Sequence, residues 1–383
     1  MFLKYLKKIT IICFTKNPYK IKRFKDLYTT KIGVEIDLPE SNSFQLTVSN
    51  GSIVHYPKPC IINPHKKMDR YIDEQLRFNY KGIFTTSKQC LYSLSNGCII
   101  GQLGLAYDIK KRSFIDESSK EWITNLKDSP YVRAFNLSPK TFLKGITFSF
   151  LSLGADGGFY HFLFESLTKV ALFKPLLKSA DHYLFNGPAT DWKLKWINKA
   201  NIDVSKIIWA NDDGHYQCEQ LLFTNKLIYD QQLNNWCVVT LKNTFSLNDN
   251  EEPLTSSEKI IWITRRGSGS RNIIWEEHIF KQFKNIESVD LTTLNADETI
   301  AKLKNATHII APHGAGLSNI YLAKPRTKVL ELFEKDTFFQ PCYYRLSHIC
   351  GLDHKVLFVN FKDKNDVDFG INFFGKIFKA FTC

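Results

Sequence analysis

Strand and helix signals alternate along this chain, and the alternation predicts an α/β protein built on parallel sheets. Three observations carry that expectation. Between residues 259 and 332, short apolar stretches recur with helical stretches between them. A second alternation runs from 159 to 209. The length, 383 residues, fits two domains at about 150 residues each.

Taken in order, Phe44–Val48, Ile53–His55 and Cys98–Ile100 read as strands broken by Gly, Asn, Ser and Pro turns. Residues 159–177 are densely apolar and of helical length, and the loop Gly154–Gly158 precedes them. Strands are expected at His182–Phe185 and Lys206–Trp209, with a helix near Trp192–Lys199 between them. Residues 243–258 are polar and turn-rich, the best linker in the chain. Beyond it, Lys259–Thr264 reads as a buried strand. Trp275–Phe283 puts its apolar residues on one helical face. Ser288–Leu291 is a short strand. Asn295 with Glu298 forms a capping-box pattern that opens a helix through Leu303. Thr307–Ala311 is the next strand, a helix begins near Gly316 and is stopped by Pro325, and Lys328–Leu332 is a further strand. The expected divisions are a basic arm (1–30), an amino-terminal domain (31–245), a carboxy-terminal domain (255–355) and a last segment (356–383) that packs back on the first domain.

Composition narrows the function. The 44% hydrophobic content supports a sizeable core and excludes global disorder. Nine cysteines without a CxxC pair argue against a disulfide framework or a zinc ribbon and fit a reducing, cytoplasmic setting. A net charge of +13 points to anionic partners. Residues 1–31 carry nine Lys/Arg against the single acid Asp26, which fits an arm on an anionic membrane face or a solvated basic helix. No window has the roughly 20 apolar residues that a membrane span needs.

Four groups of residues carry chemistry. His313-Gly314-Ala315-Gly316-Leu317-Ser318-Asn319 follows a buried strand and opens a helix. Glycines there admit a ligand close to the backbone, and the first helical amides face outward, which suits a diphosphate; a tight turn with no ligand fits the same letters. HGAG also resembles an esterase oxyanion loop, but the chain has no GxSxG elbow, so acyl transfer is discarded. Arg265 and Arg271 follow the strand 259–264 and so fall on the same sheet edge, as a phosphate fork or as a solvated loop. Glu331, at the end of a strand, suits either both hydroxyls of a ribose or a helix cap. Asp156, His161 and Glu165 lie in the first half. His161 and Glu165 share a helical face, as a general base with its orienting acid or as a polar patch in an apolar helix.

These residues together resemble glycosyltransferase family 61. Arg265 and Arg271 after a strand, the acid Glu276, the HGAGLSN run 313–319 and Glu331 carry the likeness, and Tyr160–Glu165 looks like the family's histidine helix. The resemblance covers about 155–355. It departs at Trp275, where the family usually has asparagine, and whatever that asparagine contacts is in doubt here. The resemblance implies a GT-B-like fold, two Rossmann-like domains with parallel sheets facing across a cleft. It implies an inverting transferase without a metal or other cofactor, using a nucleotide sugar, UDP-linked by expectation, and a glycan or protein acceptor. His161 would be the base, Asp156 the runner-up and Glu165 the orienting partner. Arg265, Arg271, the His313–Asn319 loop and Glu331 would hold the donor. Family members comprise plant cell-wall xylosyl- and arabinosyltransferases, animal O-linked N-acetylglucosamine transferases and bacterial capsule and lipopolysaccharide enzymes.

Two rivals remain at this stage. A metal-dependent GT-A transferase needs a DxD motif at a strand end. Asp366-Val367-Asp368 matches by letters only, and Asp212-Asp213 reads as a turn. A basic nucleic-acid- or membrane-binding protein would need stacking aromatics among clustered cations. Here the aromatics lie inside apolar runs, so no nucleic-acid partner is expected.

Overall fold

The computed structural model describes residues 19–28, 30–31, 43–64, 82–118, 127, 129–134, 137–228, 233–247, 257–266, 269–362, 374–375, 377–379 and 381. The chain divides into two compact units, Met1–Ser52 with Ser87–Tyr229 and Ile53–Thr86 with Asp230–Cys383. Both are α/β, and the strands expected at 44–48, 53–55 and 98–100 are present as Phe44–Ser49, Ile53–Tyr56 and Gly97–Ile100.

The first unit holds an eleven-stranded sheet. Thr141–Ser149 lies between His182–Asn186 and His215–Thr224, parallel to both, and Ile207–Ala210 continues the parallel part. The rest differs from the expected parallel sheet. His215–Thr224 runs antiparallel to Gln89–Ser95 and Gly97–Ile100, and Leu105–Asp108 and Ser113–Ile115 add two antiparallel neighbours. The cause is connection length. Residues 101–104 and 109–112 are too short for the crossover that a parallel pair needs, and positive φ at Gly101, Gly104 and Arg112 makes tight reversals.

The apolar stretch 159–177 is helical throughout but not one α-helix. An α turn at Phe159–His161 passes into a π segment, Phe162–Leu167, then α at Lys169–Phe173 and a 3-10 turn at Lys174–Ser179. Every side chain of the π segment is buried. Phe173 stacks on Phe148 and meets Phe150 edge to face, which fixes the helix on the sheet. Each such ring contributes about 1.5–3 kcal/mol by leaving water.

The second unit holds a six-stranded, wholly parallel sheet in the order Ile286–Val289, Ile260–Ile263, His308–Pro312, Lys328–Glu334, Asp353–Val359, Cys60–Ile61. Helices Glu276–Gln282, Ala296–Asn305 and Cys342–Ile349 and the 3-10 helix Ala315–Leu322 connect the strands. The capping box at Asn295 and Glu298 is formed in both directions. Three details differ from the expectations. The strand near 288–291 starts two residues earlier, because Ile286 and Val289 are its buried pair. The helix after the glycines is 3-10, ending at Leu322. The last segment, expected on the first unit, places Phe361, Phe374, Phe378 and Phe381 in the second unit's own core with Trp262 and Trp275.

In chain order, the five strands from Ile260 onward are arranged 2-1-3-4-5. This is a doubly wound sheet, with its switch point between Ile260–Ile263 and His308–Pro312. The loops leaving those two strands are the arginine loop and the His313 loop.

Candidate functional site

The two loops at the switch point meet. An added Cβ on Gly314 would stand 2.0 Å from Arg265 Nη1 and 2.8 Å from its Cζ. The φ of Gly314, 160°, is extended backbone open to any residue, so glycine is needed for space and not for conformation. Gly316 likewise brings the loop against the strand end, where a Cβ would lie 3.0 Å from Ile263 Cγ2.

The three arginines after the strand divide by their partners. Arg266 pairs with Glu276 and Glu277. Glu276 is buried, and it also accepts from Trp262 Nε1 at 2.8 Å and Thr264 Oγ1 at 2.6 Å. This acid therefore anchors the loop and neutralises one cation. Arg265 Nε donates to the Ser270 carbonyl at 3.3 Å, and its guanidinium lies against Gly314 at the crevice. Burial and then the neighbouring Arg271 charge push the Arg265 guanidinium below its ordinary value. Two cations held this close favour an anion between them. Arg271 sits at φ 60°, outside the ordinary non-glycine range, so its backbone is held in a sparsely populated form. Trp275, the departure from the family pattern, is a core residue here: its indole donates to the Asn360 carbonyl at 2.7 Å and its ring packs on Trp262.

His313 is locked on every side. Its ring lies between Phe333 and Tyr343, with centroids 4.5 and 5.2 Å away. Nδ1 donates to Glu331 Oε1 at 2.6 Å, and Nε2 donates to Gln340 Oε1 at 2.7 Å. The other Glu331 oxygen accepts from His354 Nε2 at 3.1 Å, and Ser347 Oγ lies 2.6 Å from His354 Nδ1. Glu331 has no exposed surface. Burial alone would raise its carboxyl, but the hydrogen bonds and charges of His313 and His354 outweigh it and hold the group below its ordinary value. The ribose role expected for Glu331 finds no support in this geometry: the group is fully buried and both oxygens are engaged by histidines. Leu317, Ser318 and Asn319 are also buried. Asn319 Nδ2 donates to the Gly316 carbonyl at 3.0 Å, so this part of the run shapes the loop. Ala315 and Gly316, half-buried, begin the 3-10 helix.

The first unit carries the other candidate group. His161 Nδ1 donates to Glu165 Oε1 at 2.8 Å, and Glu165 Oε2 accepts from Ser152 Oγ at 3.0 Å. Glu165 is buried, and the His161 side chain retains 17% of its exposure. The pair has the arrangement of an oriented base, with the carboxylate fixing the ring from behind. It straddles the start of the π segment, a helical form frequent at functional sites. An added Cβ on Gly158 would lie 2.9 Å from His161 Cδ2, so that glycine makes room for the ring. Asp156 is exposed. Its carbonyl accepts from Lys193 Nζ at 2.7 Å, and the same ammonium holds the Asn186 and Pro188 carbonyls at 2.8 and 2.9 Å.

Lys169, one helical turn past Glu165, is buried against the Leu151 carbonyl. Burial lowers its ammonium to about 7, with Glu165 opposing the shift. Between that value and about 10.5 the unfolded chain holds a proton that the folded chain lacks, so this group adds stability as pH rises through the window. Lys169→Met should therefore lose ground to the wild type in melting temperature between pH 7 and pH 10. Parallel curves over that range would show an ammonium that stays charged.

Sequence reasoning missed Gln340, His354, Ser347, Lys193 and Ser152. A lone histidine in the apolar strand Asp353–Val359 was the only available signal for the second histidine. The turn reading of Asp212-Asp213 holds, whereas Asp366 and Asp368, like residues 1–18 of the basic arm, lie outside the described residues. Among the described residues, no group of three or more His, Cys, Asp or Glu could hold a metal, and no helix is long and apolar enough to cross a membrane.

Residues 159–330 match the family model described as Glycosyltransferase 61, which bears out the family resemblance and makes glycosyl transfer the activity class. The match takes in His161, Glu165, Arg265, Arg271 and the 313–319 run, with Asp156 and Glu331 just outside it. No curated protein matches the sequence.

Proposed function

We propose that the protein is an inverting, metal-independent glycosyltransferase of GT-B type. It moves a sugar from a nucleoside diphosphate, UDP in the first instance, to a hydroxyl of a glycan or protein. The observation that carries this reading is the contact of the Arg265 guanidinium with Gly314 at the switch point, where Arg271 adds a second cation. The second unit would hold the donor there. His161 Nε2 would take the acceptor proton, with Nδ1 held by Glu165. As the acceptor oxygen bonds to the anomeric carbon, the bond to the diphosphate breaks and its electron pair leaves with the phosphate. Arg265, Arg271 and the backbone amides of 314–316 would meet that charge, each donor contributing about 3 kcal/mol.

Fixed cations in place of a metal lead to a direct expectation. UDP should raise the melting temperature as much in EDTA as in manganese, and transfer should persist in EDTA. Loss of both in EDTA, with recovery in manganese, would place the protein in the metal-dependent class.

A further inference from the structure

We propose that Gln340 holds the place of a donor phosphate oxygen at His313 Nε2, and that buried Glu331 is the countercharge that keeps His313 a donor there. The inference rests on the reading that the switch-point crevice takes a diphosphate. It starts from an asymmetry in how the partners are held. The His313 ring cannot turn away: Phe333 and Tyr343 cover its faces, Glu331 fixes Nδ1, and its backbone N–H donates to the Leu332 carbonyl at 2.7 Å. The direction of Nε2 is thus built into the core. Gln340 is held far less. It is half-buried in the irregular stretch 337–341, and among the described residues its side chain bonds only to His313.

The buried Glu331 carboxylate at Nδ1 favours a ring that donates at Nε2 as well. Glu331 is itself kept ionised and in place by His354, which Ser347 orients from the helix Cys342–Ile349. A phosphate oxygen is a stronger acceptor than an amide oxygen for such a donor, because the bond is charge-assisted at both ends. Exchange of Gln340 for the phosphate would then favour binding, and only Gln340 would need to move. Glu331, His354 and Ser347 are positioning residues in this scheme and touch no ligand.

The two sides of His313 should respond with opposite sign. In titrations with UDP, Gln340→Ala should bind about tenfold more tightly, since a competitor for Nε2 is removed. Glu331→Gln, which keeps the shape and one acceptor oxygen but loses the charge, should bind about tenfold more weakly. A merely structural role predicts weaker binding in both. Histidine nitrogen NMR on the unmutated protein gives a readout that does not depend on how the variants fold. Adding UDP should move the His313 Nε2 resonance and leave Nδ1 nearly fixed. Weaker binding by Gln340→Ala, unchanged binding by a folded Glu331→Gln, or an Nε2 resonance indifferent to bound UDP would overturn the proposal. If wild type binds UDP and Arg265→Ala does not, such a failure belongs to this inference alone. If wild type fails to bind UDP, the diphosphate reading falls as well.

Discussion

His161→Ala should lower kcat by about a hundredfold or more, the range expected for removal of a general base, with UDP affinity unchanged. The geometry sets both halves of this result. His161 is pinned at Nδ1 by a buried carboxylate that Ser152 orients, so the ring is presented in one tautomer. Arg265, Arg271 and the 313–316 loop, the proposed donor site, belong to the second unit. Glu165→Gln should lose less, because an amide oxygen can still accept from Nδ1. Asp156 is the competing base. It is exposed, its carbonyl is held by Lys193, and among the described residues no hydrogen bond comparable to that of Glu165 on His161 orients its carboxylate. Normal turnover by His161→Ala together with an inactive Asp156→Asn would transfer the role to the aspartate.

Gly314→Val should fold and yet lose UDP affinity by about a hundredfold. The first atom of any side chain at 314 falls on the Arg265 guanidinium, the far end of a flexible chain that can swing aside at little cost to the fold. What is lost is the placement of the cation. On the sequence alone the glycine was expected to clear space for phosphate; the structure shows it clearing space for the arginine that would bind phosphate. A folded variant with normal UDP affinity would reduce the glycine loop to a turn.

The second unit was the legible part of the fold because its signals are local. Asn295 and Glu298 are three residues apart and form their cap within one helical turn, and the strands ending at Ile263 and Pro312 are short apolar runs. The mixed sheet of the first unit was not legible. Its direction changes depend on hairpins at 101–104 and 109–112, and on the pairing of His215–Thr224 with strands over 100 residues earlier. The candidate site divides in the same way. Arg265, Arg271 and the glycines could be placed on one sheet edge from strand positions. The role of Glu331 could not, because His354, from the neighbouring strand, occupies its second oxygen. Nor could the choice of Arg266 as the partner of the buried Glu276.

In the proposed reading, Arg265 and Arg271 form a diphosphate site at the switch point of the second unit. Calorimetric titration of UDP into wild type, Arg265→Ala and Arg271→Ala, with melting curves alongside, tests it most directly. Wild type should bind, and each variant should bind at least about tenfold more weakly with its melting temperature nearly unchanged, since charge-assisted contacts of about 1.5–3 kcal/mol are removed from a crevice and not from a core. Equal affinity in all three proteins would contradict it.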